Sequence, residues 1–325
     1  MRLGVLADIH GNLPALEAVI AELERLQPDH ILLNGDLINA VPFSAAVIDR
    51  VRELGWVVVR GNHEFYYLDY VSPQAGVEYQ DPARWGQLHW LAAQLTPEQG
   101  AYLAMLPDER TLYLPDTAPV RVAHGVPGQN RVGFHSQQPA AEIVAAVAHV
   151  AEETLISAHT HVQVDRHVYL HADMVQDFLA DPHPNRFTCP NGPRHWHVIN
   201  PGSVGLPLNG DPAAQFAILE SVPEAVEPGG WRVTHHRVPY DRRPALAAYE
   251  ESGMMEAGGV ITRLFYWELV TAEPEIILFY RWARERGMEP DEDIDSTFAA
   301  YVAATGRDGY VRARDPLWGM RGLGD

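Results

Sequence analysis

Seven side chains with metal-ligating chemistry recur at one kind of place in this 325-residue chain, just beyond a short apolar run. Asp8 and His10 follow Leu3-Gly4-Val5-Leu6-Ala7, and Asp36 follows His30-Ile31-Leu32-Leu33 through Asn34-Gly35. Asn62 follows Trp56-Val57-Val58-Val59 through Arg60-Gly61, with His63 and Glu64 next. His124 closes Pro119-Val120-Arg121-Val122-Ala123, and His159 and His161 close Thr154-Leu155-Ile156-Ser157-Ala158. Carboxylate, amide and imidazole donors without thiolate suit Mn, Fe, Zn or Co. Taken as extended segments, Asp-x-His and His-x-His each turn two side chains to one face. Seven donors exceed one tetrahedral shell and suit two adjacent cations about 3.5–4 Å apart, an arrangement used to hydrolyse phosphoesters. Each motif alone is weak in a chain with 16 histidines, and Asn34-Gly35-Asp36 alone reads as a turn. Their shared placement at strand ends carries the reading.

The elements that must position them alternate regularly in the first half. Strand-like runs at Leu3–Ala7, His30–Leu33 and Trp56–Val59 are separated by helices expected at about Pro14–Leu26 and Ser44–Leu54. In the first helix Leu16, Val19, Ile20 and Leu23 share a face. Such β-α-β-α-β order implies parallel strands, with sites gathering beyond their carboxyl ends. Residues 65–110 are rich in aromatics and expected to be helical, including Arg84–Gln94 and Pro97–Leu106, and a further helix is expected at about Pro139–Val150. From about residue 162 the pattern changes to strands without helices, near 162–169, 196–200, 214–220 and 231–238, which suggests a second sheet packed on the first. Helices return at roughly 243–252, 274–286 and 294–304.

Composition narrows the classes. The net charge of −19, from 43 acidic and 24 basic residues, argues against broad duplex nucleic-acid binding. Every one of those basic residues is arginine, so a P-loop lysine and Schiff-base chemistry are excluded. The single cysteine, Cys189, excludes an internal disulfide and a cysteine zinc cluster. No apolar run approaches twenty residues, and Met1-Arg2 leads straight into a strand, so no membrane association and a cytoplasmic location are expected.

In order, Asp8-Ile9-His10, Gly35-Asp36, Gly61-Asn62-His63-Glu64, His124 and Ala158-His159-Thr160-His161 form a series that resembles the calcineurin-like metallophosphoesterase superfamily. The resemblance covers about residues 1–240. Asp8 to Leu16 and Asn200-Pro201-Gly202-Ser203-Val204-Gly205 look like its small prokaryotic branch of diadenosine-tetraphosphatase-like and YfcE-like enzymes. The resemblance implies an α/β (α+β) fold: a four-layer αββα sandwich of two mixed β-sheets flanked by helices, here with a C-terminal helical appendage. Residues 1–256 would form the domain, with 171–195 an insertion near the cleft and 257–325 the extension. It further implies two divalent transition-metal ions, Mn first and Fe, Zn, Co or Ni as alternatives. Asp8, His10, Asp36 and His161 would hold one, and Asp36, Asn62, His124 and His159 the other. A bridging hydroxide would attack phosphorus in line, with His63 as general acid or transition-state stabiliser and Glu64 orienting its surroundings.

The chain departs from that pattern in two places: Ala158 replaces a glycine, and the stretch between His161 and Asn200 is long, carrying His171, His183, Arg186, Arg194, His195 and His197. That stretch either overlies the cleft or decorates the surface. Arg60 either grips a phosphoryl group or makes a structural ion pair. Asn12 either reaches phosphate or caps the helix beginning near Pro14. Arg131 and His135 are candidates for the rim. Trp85, His89 and Trp90 either pack in the core or stack a base. The expected partner is a small phosphorylated substrate, whether nucleotide, dinucleoside polyphosphate, cyclic nucleotide or phosphoprotein, and a homo-oligomer is open. The rival reading is a non-catalytic scaffold or regulatory protein-binding module; all seven ligands and His63 being present argues against it.

Overall fold

A computed structural model describes residues 1–170 and 194–318. The insertion at 171–195 therefore lies, but for Arg194 and His195, outside the described residues. Two five-stranded sheets face each other. The first has the order β10-β9-β1-β2-β3, from β1 (Arg2–Leu6), β2 (His30–Asn34), β3 (Val57–Val59), β9 (Ala214–Ser221) and β10 (Trp231–Val238). The second has the order β4-β5-β6-β8-β7, from β4 (Glu109–Leu112), β5 (Val120–Ala123), β6 (Thr154–Ile156), β7 (Val164–Leu170) and β8 (Arg194–Asn200). Both are mixed. β1, β2 and β3 run parallel, as do β5, β6 and β8, while β9, β10, β4 and β7 pair antiparallel with their neighbours.

The period-two alternation of apolar residues explains the layers. Leu3, Val5, Leu32, Val59, Ala217 and Leu219 point inward from the first sheet and meet Val120, Val122, Ile156 and Ile199 of the second. On the first sheet's outer face Leu6, Leu33, Val58, Phe216 and Ile218 pack under α1 (Leu13–Leu26) and α2 (Ser44–Leu54), through Leu16, Val19, Leu23, Val47 and Ile48. On the second sheet's outer face Leu155, Val168, Trp196 and Val198 pack under α6 (Ala140–Val147), through Ile143, Val144 and Val147. The expected sandwich of two mixed sheets flanked by helices is what the chain forms.

The division between sheets differs from the expected one. It falls between β3 and β4, not near residue 162, because β9 adds antiparallel to the open side of β1 and carries β10 with it. Neither β4 nor α3 (Asn62–Val71) was delimited from sequence, nor was α8 (Met254–Thr271). Here α4 (Pro82–Gln94), α5 (Pro97–Met105), α7 (Arg243–Glu251), α9 (Glu275–Arg284), α10 (Ile294–Thr305) and α11 (Arg307–Arg312) complete the α-helices among the described residues. The C-terminal helices share a core of Leu246, Tyr249, Leu264, Phe265, Trp267, Phe279 and Phe298, which also takes in Ala40, Val41 and Leu206. The 256/257 division expected from sequence falls inside α8, just ahead of its kink at Gly259 (φ 55°). Trp85 and Trp90 pack at the edge of the first sheet's outer core, Trp85 against Tyr66 and Tyr79. No helix among the described residues is long and apolar enough to cross a membrane.

Glu268 on α8 is buried, with one carboxyl oxygen accepting from the Ile276 backbone N–H at 3.2 Å. Burial pushes its carboxyl up to about 8, helped by Glu275 and opposed by that hydrogen bond. A folded-state value above the ordinary 4.5 means its contribution is intact below pH 4.5 and is lost as pH rises through about 8. Glu268→Gln is therefore expected to melt like wild type near pH 4.5 and to be more stable by pH 8, on the order of 2–4 kcal/mol. Thermal unfolding across that range checks it; a constant difference between the two proteins at all pH values would refute it.

Candidate metal centre

The centre is assembled at the carboxyl ends of β1, β2, β3, β5 and β6, and the N-terminus of α3 organises it. Glu64, the third residue of α3, is fully buried. Its carboxylate accepts the backbone N–H groups of Gly61 at 2.7 Å, Asp36 at 2.9 Å, Leu37 at 2.8 Å and Ile38 at 3.3 Å. One side chain thus fastens the loop after β2 to the loop after β3. Gly61 has to be glycine here, since a Cβ would lie 2.2 Å from Asp36 Oδ1 and 2.4 Å from its backbone nitrogen. The His63 N–H, in the first turn of α3, donates to Asp36 Oδ1 at 2.8 Å. Helix N-termini favour such anions, and the bond leaves Asp36 Oδ2 free.

Donor atoms then gather on both sides of that oxygen. His124 Nε2 lies 3.2 Å from Asp36 Oδ2 and His10 Nε2 3.6 Å from it. On one side His10 Nε2 is 2.9 Å from His161 Nε2, which is 3.6 Å from Asp8 Oδ1. One ligand atom from each of Asp8, His10, Asp36 and His161 lies within 4.8 Å of the others, and all four residues are buried. On the other side Asn62 Oδ1 is 3.0 Å from His124 Nε2 and 2.8 Å from His159 Nδ1. Ligands of one cation stand about 3 Å apart when bond lengths are near 2.1 Å, so these separations fit coordination shells.

Neighbouring carbonyls aim the rings. His124 Nδ1 donates to Asn34 O at 2.8 Å and His161 Nδ1 to Leu206 O at 2.6 Å, which turns both Nε2 atoms inward. Both carboxyl oxygens of Asp8, Asp36 Oδ2 and His10 Nδ1 are buried with no hydrogen-bond partner among the described residues. Uncompensated buried carboxylates are costly, and a cation is what this donor set fits.

The charges agree. Burial pushes the Asp8 carboxyl well above its usual range, and the Asp36 charge adds to this. Against its own burial, Asp36 is held well below by His124 and His63. Burial lowers His161 to about 3 and His159 to about 4, and also lowers His10, leaving neutral imidazoles with lone pairs to give. His124 is the exception: against burial, Asp36 and Asp8 raise it to about 10. A cation taking its Nε2 therefore has a proton to displace. Burial and Asp36 also push Glu64 up to about 7, against the backbone N–H groups that favour its ionised form.

The sequence picture needs one correction, and the structure bears on two alternatives that it left open. Asp-x-His and His-x-His are not extended: Asp8 and His10 both have φ 54°, and His159 and His161 have φ 69° and 58°. The paired left-handed residues, not the strand pleat, deliver both side chains of each motif. Asn12 is buried and its amide is spent, Oδ1 capping α1 at Ala15 N (3.2 Å) and Nδ2 donating to Gly205 O (2.8 Å) and Tyr240 Oη (2.7 Å), so of its two readings the cap is the one built. Arg60 pairs with Asp108 and stacks 4.5 Å over the Phe65 ring, the contacts that its structural alternative calls for.

Three residues were overlooked. Asn39 Nδ2 donates to His63 Nδ1 at 2.8 Å, its own Oδ1 being taken by Ala40 N. Its signal was a polar residue inside the apolar run Leu37-Ile38-Asn39-Ala40-Val41. Tyr66 and Phe265 wall His63, with ring centroids 5.5 and 6.3 Å away. Tyr66 is one helical turn beyond His63, but nothing local in α8 marks Phe265. Arg131, half exposed, lies 4.5 Å over Tyr66 and lines a cleft of about 510 Å³ with His124, Phe65, Asp108 and Gly125.

Residues 1–163 match the family model of calcineurin-like phosphoesterases. The crystal structure of a metallophosphoesterase from Sphaerobacter thermophilus is similar at 28% identity, over 80% of this chain and 100% of that one, with a TM-score of 0.54. A hypothetical protein from Pyrococcus horikoshii OT3, at 21% identity over 82% and 97% of the two chains, shares the fold with a TM-score of 0.62. No curated protein matches the chain.

If Asp36 serves both halves, Asp36→Asn lowers occupancy of both cations, whereas His124→Ala empties mainly one. Elemental analysis of metal-loaded proteins checks this; equal and full metal content in both variants would rule out a shared carboxylate.

Proposed function

The chain belongs to the calcineurin-like phosphoesterase family and is a metal-dependent phosphoester hydrolase, and from that premise we propose a binuclear centre that hydrolyses phosphomono- or phosphodiesters of small molecules. The observation that carries the reading is Asp36 Oδ2, placed 3.2 Å from His124 and 3.6 Å from His10 with no hydrogen-bond partner among the described residues. In this assignment Asp8, His10, Asp36 and His161 hold one divalent cation and Asp36, Asn62, His124 and His159 the other, manganese being the first candidate. When bound, such cations polarise phosphoryl oxygens and acidify a water.

The remaining work falls to the chain. Because Asn39 donates to His63 Nδ1, the imidazole proton sits on Nε2. His63 uses that N–H to hold a phosphoryl oxygen in the transition state, with Tyr66 and Phe265 walling the ring; to act as a general acid it would have to carry a second proton on Nδ1, which the Asn39 contact opposes. Burial lowers His63 while Asp36 works to raise it, so its proton affinity depends on what neutralises Asp36. Arg131 and the cleft beside His124 are the candidate seat for the rest of the substrate. We treat residues 257–325 as an extension whose α8 supplies a wall to the site rather than as an independent unit.

With Mn²⁺ and aryl phosphate mono- and diesters, wild type should turn over at least one class. His63→Ala should lower kcat about 10²–10⁴-fold with little change in metal content. Asn39→Ala should lose about tenfold, since the tautomer is biased rather than abolished. Steady-state kinetics on metal-quantified protein decides: a fully loaded wild type inert towards every phosphoester would leave the non-catalytic scaffold as the reading.

A further inference from the structure

The hairpin of β7 and β8 carries a second cluster that shares no residue with the centre above. In its register His167 lies opposite His197, Tyr169 opposite His195 and Asp165 opposite Ile199. Directly opposite residues share a face, as do alternate residues along a strand, so Asp165, His167, His195 and His197 all project to the same side. The other side of the hairpin is the apolar one, where Val168, Leu170, Trp196 and Val198 pack under α6. One ligand atom from each of Asp165, His167 and His197 lies within 4.8 Å of the others. His197 Nε2 is 2.7 Å from Asp165 Oδ1, and the His197 ring stacks 4.0 Å from that of His167. The two nitrogens of His167 are also engaged, Nδ1 at 2.8 Å from His195 Nε2 and Nε2 at 3.1 Å from Glu227 Oε1.

Hydrogen bonding leaves one buried nitrogen of this cluster unaccounted for. His197 is 1% exposed, and its Nδ1 has no partner among the described residues. The His167 ring lies 5.0 Å from that of His195 and 4.0 Å from that of His197, and a positive charge on every ring of such a stack is disfavoured, so lone pairs remain to be given. Two donors on one zinc ion lie about 3.3 Å apart for bonds of about 2.0–2.1 Å, so small side-chain shifts close a shell here. Histidine with carboxylate selects borderline cations such as Zn²⁺, Co²⁺, Ni²⁺ or Cu²⁺ over Mg²⁺ or Ca²⁺.

We propose that Asp165, His167 and His197 form a separate transition-metal site, with His195 and Glu227 as its adjoining donors. Glu227 lies in the connection between β9 and β10, so the site joins the edge of the second sheet to a turn of the first. Its place in mid-hairpin, away from the strand ends that carry the phosphoesterase centre, makes its role one of fastening the two sheets.

The test uses the full-length protein, stripped with a chelator, refilled with Zn²⁺ alone, freed of excess and analysed for metal per chain. Wild type should hold one equivalent more than His167→Gln, and Asp36→Asn should keep the equivalent that His167→Gln lacks. Zinc should raise the melting temperature of Asp36→Asn, and this rise should vanish when His167→Gln is added. His167→Gln refilled with Mn²⁺ should hydrolyse aryl phosphates like wild type, which shows that it folds. Asp165→Asn, changing a side chain 42% exposed, is the companion should His167→Gln fail to fold. Equal zinc content and equal zinc-dependent melting in wild type and the folded variant would overturn the site.

Discussion

The Glu64 carboxylate is the constraint on which the rest of the centre depends. Two loops that leave different strands are held together by its acceptance of Gly61, Asp36, Leu37 and Ile38 N–H groups. Glycine at 61 lets the loops approach, and the start of α3 then presents the His63 amide to Asp36. With that oxygen engaged, the other is directed between His10 and His124. A charged side chain is an expensive fastener in a buried place, and its carboxyl is driven up to about 7 as a result. Four backbone donors make the cost bearable, and no apolar residue could satisfy those donors.

Strain is the second part of the design. Asp8, His10, Asp36, Asn39, His159 and His161 all have positive φ, which costs on the order of 1–3 kcal/mol per residue. What holds them is a set of backbone bonds between loops: Asp8 N to Gly35 O, His10 N to Asp36 O, Ala158 N to His124 O and Gly205 N to Asp8 O. The turn Asn200–Gly205 belongs to this scaffold; Ser203 Oγ donates to Asp8 O and accepts from Leu206 N, and Leu206 in turn orients His161. Beneath the loops the inter-sheet core of Leu3, Val5, Leu32, Ile156 and Ile199 offsets that cost, at about 1.5–3 kcal/mol per buried side chain.

Much of this was legible before any coordinates, because strand periodicity and the chemistry of donors are local properties. Strand-end placement picked out the residues from Asp8 to His161, and the alternation of apolar runs with amphipathic helices implied parallel strands. What was illegible depends on partners distant in sequence. β9 joins β1 through pairing, which no local pattern encodes, so the sheet division was misplaced. Asn12 offered the same side chain for a cap or a phosphate contact, and only the proximity of Gly205 and Tyr240 selects the cap. Arg60 became structural because Asp108 arrives from beyond α5. The left-handed turns at Asp8, His10, His159 and His161 escaped because non-glycine residues rarely adopt them, and they do so here under the compulsion of neighbouring loops.

Phe265 beside His63 has a kinetic meaning. A site drawn from residues 8, 36, 62, 124, 161 and 265 contains almost no contacts between neighbours in the chain. Each of those contacts closes a long loop before any interaction repays the entropy. The site is therefore complete only in a molecule whose two sheets are paired and whose α8 is docked, so activity reports on the packing of the whole chain rather than of any one segment.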